Sequence, residues 1–544
     1  MPAGFLLFFL LLFLQFPLSG SLPGDLDTWF YLSWFNDALQ RLMHFITGTP
    51  DYYYLYPDIR AYLQSEPSFG SITIYGILKL FVSSDLWAYY LFMVLVFTSN
   101  ACATFWLARK LEMTALAAIL AAFIMSACNF GFALMDNQNA VTFAPMIMGF
   151  AHIIQFLNTS RHKHLYLLGV WGGLQIFFST YIFIYTVTIA AIWFLIYWKH
   201  WLNKAHLFAV AKGALLNVVL ISPYIYWYIL GDNIHEPQNL TLKLKSLEYL
   251  SLEPRHFIQP LKNNLFYGRL GEDKDYFGFT FNAASIGLIA YVLAILGLLY
   301  KPKYRWALVA TWLVGFFVAI GPYIYWGESK IPMPLYFVTL LAQKLILVNH
   351  TARFYSISVL IVGLLAGYGF MQLTQKVKLK PVLLLGIVLV LFLGENIPMP
   401  FEKFDSAVNM KPETDYTKWM QTITGDVVIN LPSGPALDNS KEYTAFCKRE
   451  YIYCYWQLPF DVYVANGFGR PPDNVKRFKH WAARIDQGNN IDSLLSYVEI
   501  DWIAYHPQMF MDGIEDDIKP FLDTTHQLEP VSATDELVVY KVKR

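Results

Sequence analysis

The feature that most constrains this chain is a series of long apolar runs separated by short charged loops. A membrane-spanning helix needs about 20 mostly apolar residues, and eleven runs approach that length. They lie at 4–22, 87–108, 114–134, 141–157, 165–180, 182–198, 207–230, 282–300, 306–326, 354–374 and 381–397. The pattern predicts an α-helical polytopic membrane protein with about eleven transmembrane helices.

Basic residues are concentrated in every second loop between these runs. The basic loops contain Arg109, Lys110, Arg161, Lys163, Lys199, Lys204, Lys301, Lys303, Arg305, Lys376, Lys378 and Lys380. Because cytoplasmic loops are enriched in Lys and Arg, we expect these loops in the cytoplasm and the longer, more acidic loops outside. With eleven spans in the inner or plasma membrane, the N-terminus is cytoplasmic and the C-terminus is extracytoplasmic.

The first run has two interpretations. Small residues at 19–21 resemble the cleavage site of a signal peptide, but no positively charged segment precedes the run. Secretory signals normally have such a segment. We therefore expect the first run to be retained as a membrane span.

Composition supports the membrane assignment and limits the partners. Only 15% of the residues are charged, compared with about 25% in soluble domains. The 40 basic and 40 acidic residues give no net charge, so nothing suggests a nucleic-acid partner. The expected partners are the bilayer and molecules that reach its surface.

The chain divides into two predicted domains. Residues 1–397 form a transmembrane module with outer loops at 23–86, 231–281 and 327–352, and residues 398–544 form an extracytoplasmic domain. Strand-like runs lie in that tail at 427–429, 502–505 and 537–540, and helical stretches such as 475–486 separate them. The tail is long enough for one small α/β domain.

The four cysteines indicate no metal site. Cys102 and Cys128 lie in apolar runs and are expected to pack as small hydrophobic residues. Cys447 and Cys454 lie in the tail, where an extracytoplasmic disulfide could persist or both thiols could stay free. Two cysteines alone lack the other ligands of a zinc site.

Two carboxylates follow the first span. Asp25 and Asp27 precede an aromatic segment at 29–39 that is predicted to be an amphipathic helix in the membrane interface. A carboxylate held at the bilayer surface can act as a general base. Asp27 is equally well placed to cap the helix that follows, so both roles remain open.

Three groups of residues resemble the polytopic GT-C glycosyltransferases. The first is DTWFYLSWFN at 27–36, directly after the first span. The second combines Gly321 and Pro322 with VNHTARF at 348–354 and LAGYG at 365–369. The third, similar to the tails of bacterial proteins of this type, comprises VINLP at 428–432, YIYCYW at 451–456 and VANGFG at 464–469.

This resemblance implies a GT-C fold and an enzyme that uses a sugar attached to a polyprenyl phosphate. The sugar would be transferred with inversion to an envelope glycan, a glycolipid or an exported protein on the outer face. The resemblance implies that Asp27 deprotonates the acceptor hydroxyl, with Asp25 as the substitute. It leaves the sugar, the acceptor and the need for a divalent cation open.

Four further residues are candidates for substrate binding. Asp136, in the outer turn between the third and fourth spans, is expected to orient the acceptor, bind a cation or simply face water. Arg353 precedes a late span and is expected either to bind the lipid phosphate through paired hydrogen bonds or to anchor the span at the headgroups. Lys344, in the same loop as Lys330, and His256, beside Arg255, are weaker candidates, since both pairs could be ordinary solvated loop residues.

Two other functions are compatible with the same pattern. A transporter or flippase for a lipid or glycolipid would show inverted repeats and ionisable residues at mid-membrane, and the spans contain few charges apart from Lys212. A non-catalytic envelope assembly factor would keep the architecture but would not need the acidic residues.

Overall fold

The structure is a computed structural model of the chain. It describes residues 1–19, 22–23, 26–47, 68–135, 137–230, 240–259, 264–267, 284–326, 329–342, 350–398, 403–404, 414–431, 453, 456, 463–464, 500–507 and 518–543. The statements below concern these residues. Cys447, Cys454 and the predicted helical stretch at 475–486 lie outside them.

Helices account for most of the described residues before 397. In chain order the first ten are α1 (Pro2–Phe13), α2 (Gln15–Leu18), α3 (Leu26–Thr47), α4 (Phe69–Lys79), α5 (Asp85–Lys110), α6 (Ala115–Ser126), α7 (Asn129–Ala133), α8 (Gln138–Val141), α9 (Ala144–Thr159) and α10 (Lys163–Phe178). They are followed by α11 (Thr180–Ile196), α12 (Trp198–Trp201), α13 (Lys204–Leu230), α14 (Leu240–Tyr249), α15 (Leu288–Leu299), α16 (Arg305–Ile320), α17 (Pro334–Ala342), α18 (Tyr355–Lys376) and α19 (Pro381–Asn396).

Each predicted apolar run contains a helix. Four of the described helical segments are long and apolar enough to cross a membrane on their own: Asp85–Lys110, Ala115–Ala133, Lys204–Ile225 and Thr351–Lys376. The shorter apolar helical segments are Pro2–Leu18, Thr180–Ile196, Leu288–Leu299, Arg305–Ile320 and Pro381–Asn396. The chain is thus a multi-pass membrane protein, while eleven spans stays a prediction.

The ninth run ends earlier than its hydrophobicity predicts. Helix α16 stops at Ile320 because Gly321 adopts a positive φ of 84°. A side chain at Gly321 would also collide with Ser251, whose Cβ lies 2.5 Å from the position of an added Cβ. The residues at 323–326, predicted to continue the span, instead form a β-strand.

The boundary between the fifth and sixth runs is a capped break. Helix α10 ends at Phe178, and Ser179 adopts an extended conformation. The Ser179 hydroxyl accepts a hydrogen bond from the Ile182 backbone N–H at 3.3 Å and so caps α11. A single residue, Ser179, therefore separates α10 from α11. The sequence alone left almost no loop between these two apolar runs.

Helix α18 forms the centre of the bundle, since every residue from 355 to 370 is buried. It packs against α15 at two glycines. A Cβ added to Gly369 would overlap the Leu293 carbonyl, and one added to Gly297 would overlap the Leu365 carbonyl. The glycines let the two backbones approach closely, as small residues commonly do between membrane helices.

The predicted helix at 29–39 is confirmed as part of α3, but three of its aromatic side chains do not face the bilayer surface. Tyr31, Trp34 and Phe35 are buried in the main hydrophobic core. The expected interfacial position is therefore wrong for these three residues. Protein packing provides the apolar surroundings that the bilayer was expected to provide.

The described residues contain nine strands, which form three separate sheets. They are β1 (Leu22–Pro23), β2 (Tyr323–Trp326), β3 (Ser329–Pro332), β4 (Lys403–Phe404), β5 (Val427–Leu431), β6 (Tyr463–Val464), β7 (Trp502–Tyr505), β8 (Leu528–Ala533) and β9 (Val538–Val542). Strands β1 and β4 pair antiparallel, and β2 and β3 form a hairpin.

The other five strands form a sheet in the order β6-β5-β7-β9-β8. β5 is parallel to both β6 and β7, and β9 is antiparallel to β7 and β8. Helices α20 (Thr414–Met420) and α21 (Ile518–Thr524) also belong to the tail. A C-terminal domain with a small sheet is thus confirmed, and its predicted boundary at residue 398 stays a prediction.

Candidate functional site

A buried hydrogen bond joins the segments that contain two of the predicted acids. The Tyr31 hydroxyl donates to Oδ1 of Asn137 at 3.1 Å. Tyr31 lies four residues after Asp27, and residues four apart share one face of a helix. Asn137 directly follows Asp136 in the sequence. The structure therefore brings α3 to the segment between the third and fourth predicted spans.

Asp27 is the second residue of α3, which begins at Leu26. It therefore lies in the first turn and is not the cap that one interpretation of the sequence expected. An acidic residue in a first turn interacts favourably with the positive end of the helix dipole. The structure does not describe the side chain of Asp27, and Asp25 and Asp136 lie outside the described residues.

The neighbours of Asp136 do not form a solvated turn. Met135 and Asn137, on either side of it, are only 3% and 6% exposed. A turn facing water, which was one interpretation of this loop, would leave its flanking residues accessible. The burial indicates that both flanking residues are packed into the protein.

Two buried amides fix the chain just after this segment. Asn100 donates from Nδ2 to the Val141 carbonyl at 2.7 Å and accepts from the Phe143 N–H at 2.9 Å. Gln175 donates to the Thr142 carbonyl at 3.1 Å and accepts from the Met146 N–H at 2.9 Å. Because buried polar groups are costly unless hydrogen-bonded, these amides define one path for the chain from α8 to α9.

A second network holds α3 further along. Asn36 donates to the Tyr75 hydroxyl at 3.2 Å, and that hydroxyl donates to Asp85 Oδ1 at 3.0 Å. Lys79 lies 2.6 Å from the same carboxylate oxygen. The network connects α3 with α4 and the start of α5, so α3 is held at two points along its length.

Arg353 is buried within protein. It lies in a single 3₁₀ turn, Thr351–Phe354, and is 5% exposed. Its guanidinium lies 5.3 Å from the centre of the Tyr181 ring, a cation–π geometry. An anchor that reaches the lipid headgroups would be exposed, so the structure argues against that alternative for Arg353.

His350 completes this aromatic and cationic group. Its ring meets the Tyr181 ring edge to face with centres 5.9 Å apart. Removal from water and the positive charge of Arg353 both lower the pKa of His350 well below 6.5. The ring is therefore neutral at pH 7, and Arg353 supplies the positive charge of this group.

The Arg353 turn is attached to the end of α14. The Thr351 hydroxyl donates to the Leu250 carbonyl at 3.0 Å and lies 3.3 Å from the Leu247 carbonyl. The Ala352 N–H also donates to the Leu250 carbonyl, at 3.0 Å. The end of α14 and the turn before α18 therefore form one structural unit.

Helix α11 links the two halves of the candidate site. Its second residue is Tyr181, which packs on Arg353, and one turn later Tyr185 packs on Phe354 with ring centres 4.4 Å apart. Helix α11 also contacts α8, which begins directly after Asn137. Helix α11 thus contacts both the Arg353 turn and the helix that follows Asn137.

The remaining predicted site residues have local partners or are not described. His256 is buried, and its Nδ1 accepts from the Glu253 N–H at 3.0 Å, so one ring nitrogen stabilises its own turn. Arg255 is exposed and pairs with Glu253 at 2.8 Å. Lys330 pairs with Glu248. Lys344 lies outside the described residues.

No group of three His, Cys, Asp or Glu residues within the described ranges is arranged to hold a metal ion. The side chain of Asp136, for which cation binding was one of the expected roles, is not among those described. A divalent cation therefore stays an open question.

Several residues of this region were not identified from the sequence. Asn100 and Gln175 interrupt apolar runs, and polar residues within membrane segments commonly mark functional or structural sites, so this signal was present. Tyr31, Asn137 and Tyr181 gave no such signal, because aromatic and amide residues are common at membrane ends.

Comparison with solved structures shows a similar fold over nearly the whole chain. The arabinofuranosyltransferase AftD from Mycobacteria matches with a TM-score of 0.52 and 13% identity, covering 94% of this chain and 39% of AftD. The oligosaccharyltransferase AglB from Archaeoglobus fulgidus, solved with an inhibitory peptide and a dolichol-phosphate, matches at 0.46 and 10%, covering 90% and 66%. ArnT from Cupriavidus metallidurans, solved with undecaprenyl phosphate, matches at 0.42 and 12%, covering 99% and 97%.

The match to AftD shows that this chain has the GT-C fold, as the resemblance implied. The chain spans about two fifths of the length of AftD. At this low identity the likeness extends to the fold alone. No family model matches the sequence, and no curated protein matches it significantly.

Proposed function

We propose that this GT-C-fold membrane protein is an inverting glycosyltransferase. It moves a sugar from a polyprenyl-phosphate carrier to an envelope glycan, a glycolipid or an exported protein. The observation that carries the proposal is the buried Tyr31–Asn137 hydrogen bond, because it joins the helix of Asp27 to the segment next to Asp136. Two acids of a transfer site need such proximity to act on one acceptor.

In the proposed reaction, Asp27 is the general base. Its carboxylate takes the proton of an acceptor hydroxyl, and the resulting oxygen attacks the anomeric carbon of the sugar. The bond from that carbon to the phosphate oxygen breaks, and the lipid phosphate leaves with the bonding electrons. Attack opposite to the leaving group inverts the configuration. Asp25 is the substitute base, and Asp136 orients the acceptor or binds a divalent cation.

Arg353 stabilises the departing phosphate. Arginine is permanently charged and can donate two parallel hydrogen bonds to phosphate oxygens. The burial of Arg353 supports this role, because electrostatic stabilisation is stronger away from water. Lys344 and His256 are secondary candidates for the same substrate.

The proposed site faces the outer side of the membrane. The N-terminus is cytoplasmic and the C-terminal domain is extracytoplasmic, in agreement with the basic loops. The lipid-linked sugar then reaches the site from the bilayer, and the acceptor reaches it from outside.

The base assignment can be tested with Asp27→Asn and the matched variant Asp25→Asn in proteoliposomes. Wild type is first assayed with polyprenyl-phosphate-linked sugars of several types and with candidate acceptors. Asp27→Asn should lower the rate by about 10²–10⁴-fold, while Asp25→Asn should change it much less. NMR of the product should show an inverted anomeric centre.

Transfer at the wild-type rate by Asp27→Asn would rule out this base. If wild type moves the lipid between leaflets without forming any glycoside, the transporter alternative is correct. The need for a divalent cation is tested by measuring the transfer rate after EDTA treatment and again after Mg²⁺ or Mn²⁺ is added back. If wild type depends on the metal, the rate of Asp136→Asn should depend on it less.

A further inference from the structure

Helix α17 exposes an apolar face and buries a polar residue. Phe337, Val338 and Leu341 are 52%, 50% and 89% exposed on one side of the helix. Thr339, on the other side, is fully buried. A helix packed on a protein and facing water shows the opposite arrangement. The outward face of α17 is therefore suited to an apolar medium.

This helix is too short to cross a bilayer. Its nine residues extend about 14 Å, less than half of the roughly 30 Å hydrocarbon core. The chain also enters and leaves this region at one place. The Leu247 carbonyl lies 3.3 Å from the Thr351 hydroxyl and 3.4 Å from a Cβ added to Gly321. Gly321 and Thr351 thus lie at the same end of the bundle.

The hairpin β2–β3 places polar and aromatic groups beside this apolar helix. Lys330 lies 2.6 Å from Glu248 Oε1 and above the rings of Tyr323 and Tyr325 at 5.2 Å and 5.3 Å. Tyrosine and lysine are residue types of the membrane–water boundary. The Tyr323 ring also contacts the Tyr336 ring at 5.3 Å, so the hairpin and the helix pack together.

We propose that β2, β3 and α17 form an interfacial unit that rests in the boundary between lipid headgroups and acyl chains. The apolar face of α17 contacts the acyl chains, and the Lys330 group lies at headgroup level. The occupant of this face is the bilayer, because the unit connects two spans at the same end of a multi-pass protein. Apolar side chains exposed at this boundary are stabilised by contact with the acyl chains.

The unit is coupled to the Arg353 turn through α14. Helix α14 packs against α17, and Glu248 of α14 pairs with Lys330. Two residues after Glu248, the Leu250 carbonyl accepts both hydrogen bonds that hold Thr351 and Ala352. The interfacial unit therefore sets the depth at which Arg353 meets a lipid phosphate, a consequence that rests on the proposed function.

The placement can be tested on the wild-type chain without an activity assay. The protein is reconstituted in phosphatidylethanolamine and phosphatidylglycerol vesicles containing a phospholipid with a diazirine on its acyl chain. After irradiation, lipid adducts are mapped by mass spectrometry. We expect adducts within 334–342 and on α13, where Val218 and Val219 are exposed. Strand β8, where Val531 is 53% exposed, should remain unlabelled.

Adducts on α13 without adducts on 334–342 would overturn the proposal, since another protein or water would then cover α17. Leu341→Asp should reduce labelling of 334–342, and because Leu341 is exposed the substitution should leave the fold intact. Equal labelling in Leu341→Asp and wild type would show that α17 is not held by its apolar face and would also overturn the proposal.

The coupling to Arg353 is tested by transfer kinetics. Leu341→Asp should raise KM for the lipid donor with little change in kcat, and the control Val531→Asp should change neither. An unchanged KM in Leu341→Asp would overturn the coupling while leaving the proposed enzyme intact. If wild type shows no transfer, the proposed function fails, and the lipid adducts still decide the placement of the unit.

Discussion

The Tyr31 hydroxyl donates a hydrogen bond of 3.1 Å to Asn137 across 106 residues of sequence. Both side chains are buried, at 4% and 6% exposure. The bond fixes the second turn of α3 against the segment that follows α7. A change at this bond is expected to alter the relative position of Asp27 and Asp136 without touching either acid.

Tyr31→Phe should lower kcat about tenfold while leaving KM for the lipid donor almost unchanged. The variant keeps the ring and removes the hydroxyl that donates to Asn137, and loss of a buried hydrogen bond costs about 1–3 kcal/mol. Steady-state kinetics in proteoliposomes measures the effect. A double-mutant cycle of Tyr31→Phe and Asn137→Leu should give an interaction free energy of about 0.5–3 kcal/mol between the two residues.

Tyr304→Phe is the matched control for this prediction. The Tyr304 hydroxyl donates to Oδ1 of Asn158 at 2.6 Å, the same pair of groups beside the basic loops. Tyr304→Phe should lower thermal stability less than Tyr31→Phe, because Asn158 is exposed and also accepts from Lys303 at 2.8 Å, and it should leave kcat unchanged. An equal loss of kcat in both variants would mean that Tyr31 acts through stability alone.

Arg353→Lys should weaken binding of a polyprenyl phosphate by about tenfold. Lysine keeps the charge but loses the planar donor pair and the stacking on Tyr181.

Tyr181→Phe keeps the ring and should bind the lipid phosphate like wild type. Tyr181→Leu should lose about 0.5–2 kcal/mol of cation–π interaction. Native mass spectrometry with the lipid phosphate measures each affinity. Wild-type affinity in Arg353→Lys would contradict the phosphate role.

Gly369→Ala should destabilise the bundle, because its Cβ would overlap the Leu293 carbonyl of α15. Gly386→Ala is the control: no heavy atom lies within 4 Å of its added Cβ, and alanine favours a helix by about 1 kcal/mol over glycine. Thermal unfolding in detergent should show a lower Tm for the first variant and an equal or higher Tm for the second. The opposite order would exclude backbone contact at Gly369.

Stability should fall as the pH is lowered from 7.5 to 5.5, in part because of His350. Its pKa in the folded protein is well below 6.5, so below pH 6.5 the unfolded chain binds a proton that the folded chain does not. This favours unfolding by up to about 1.4 kcal/mol per pH unit, until the pH reaches the folded pKa. In His350→Gln the Tm should depend less on pH over this range. An identical dependence would assign the effect to other groups.

Much of the helical architecture could be predicted because each membrane helix requires its own long apolar run. The strands at β5, β7 and β9 were also visible as short runs of branched and aromatic residues. The end of α16 was not, since hydrophobicity continues past Gly321 into residues that pair as a hairpin. A positive φ and a close neighbour decide that boundary, and neither is apparent from composition.

The candidate site was predictable only in part. Asp27 and Arg353 were identified by resemblance and by their places at predicted membrane ends. The partners Asn137 and Tyr181 were not identified, because hydrogen bonds and ring contacts between distant segments leave no periodic pattern in the sequence. The burial of Tyr31 was also unexpected, since an aromatic face suits the bilayer surface as well as a protein core.

The short pairing of β1 with β4 has a consequence for biosynthesis. Leu22 pairs with Phe404 and Pro23 with Lys403. Strand β1 is therefore synthesised about 380 residues before β4, the strand with which it pairs. At about 5–20 residues per second, the delay between the two strands is roughly 20–80 s. Strand β1, which follows the first predicted span, can thus form its pair only after all the predicted spans have been synthesised. Closure of this pair therefore cannot precede synthesis of the predicted spans, and a nascent chain arrested before residue 403 would lack it.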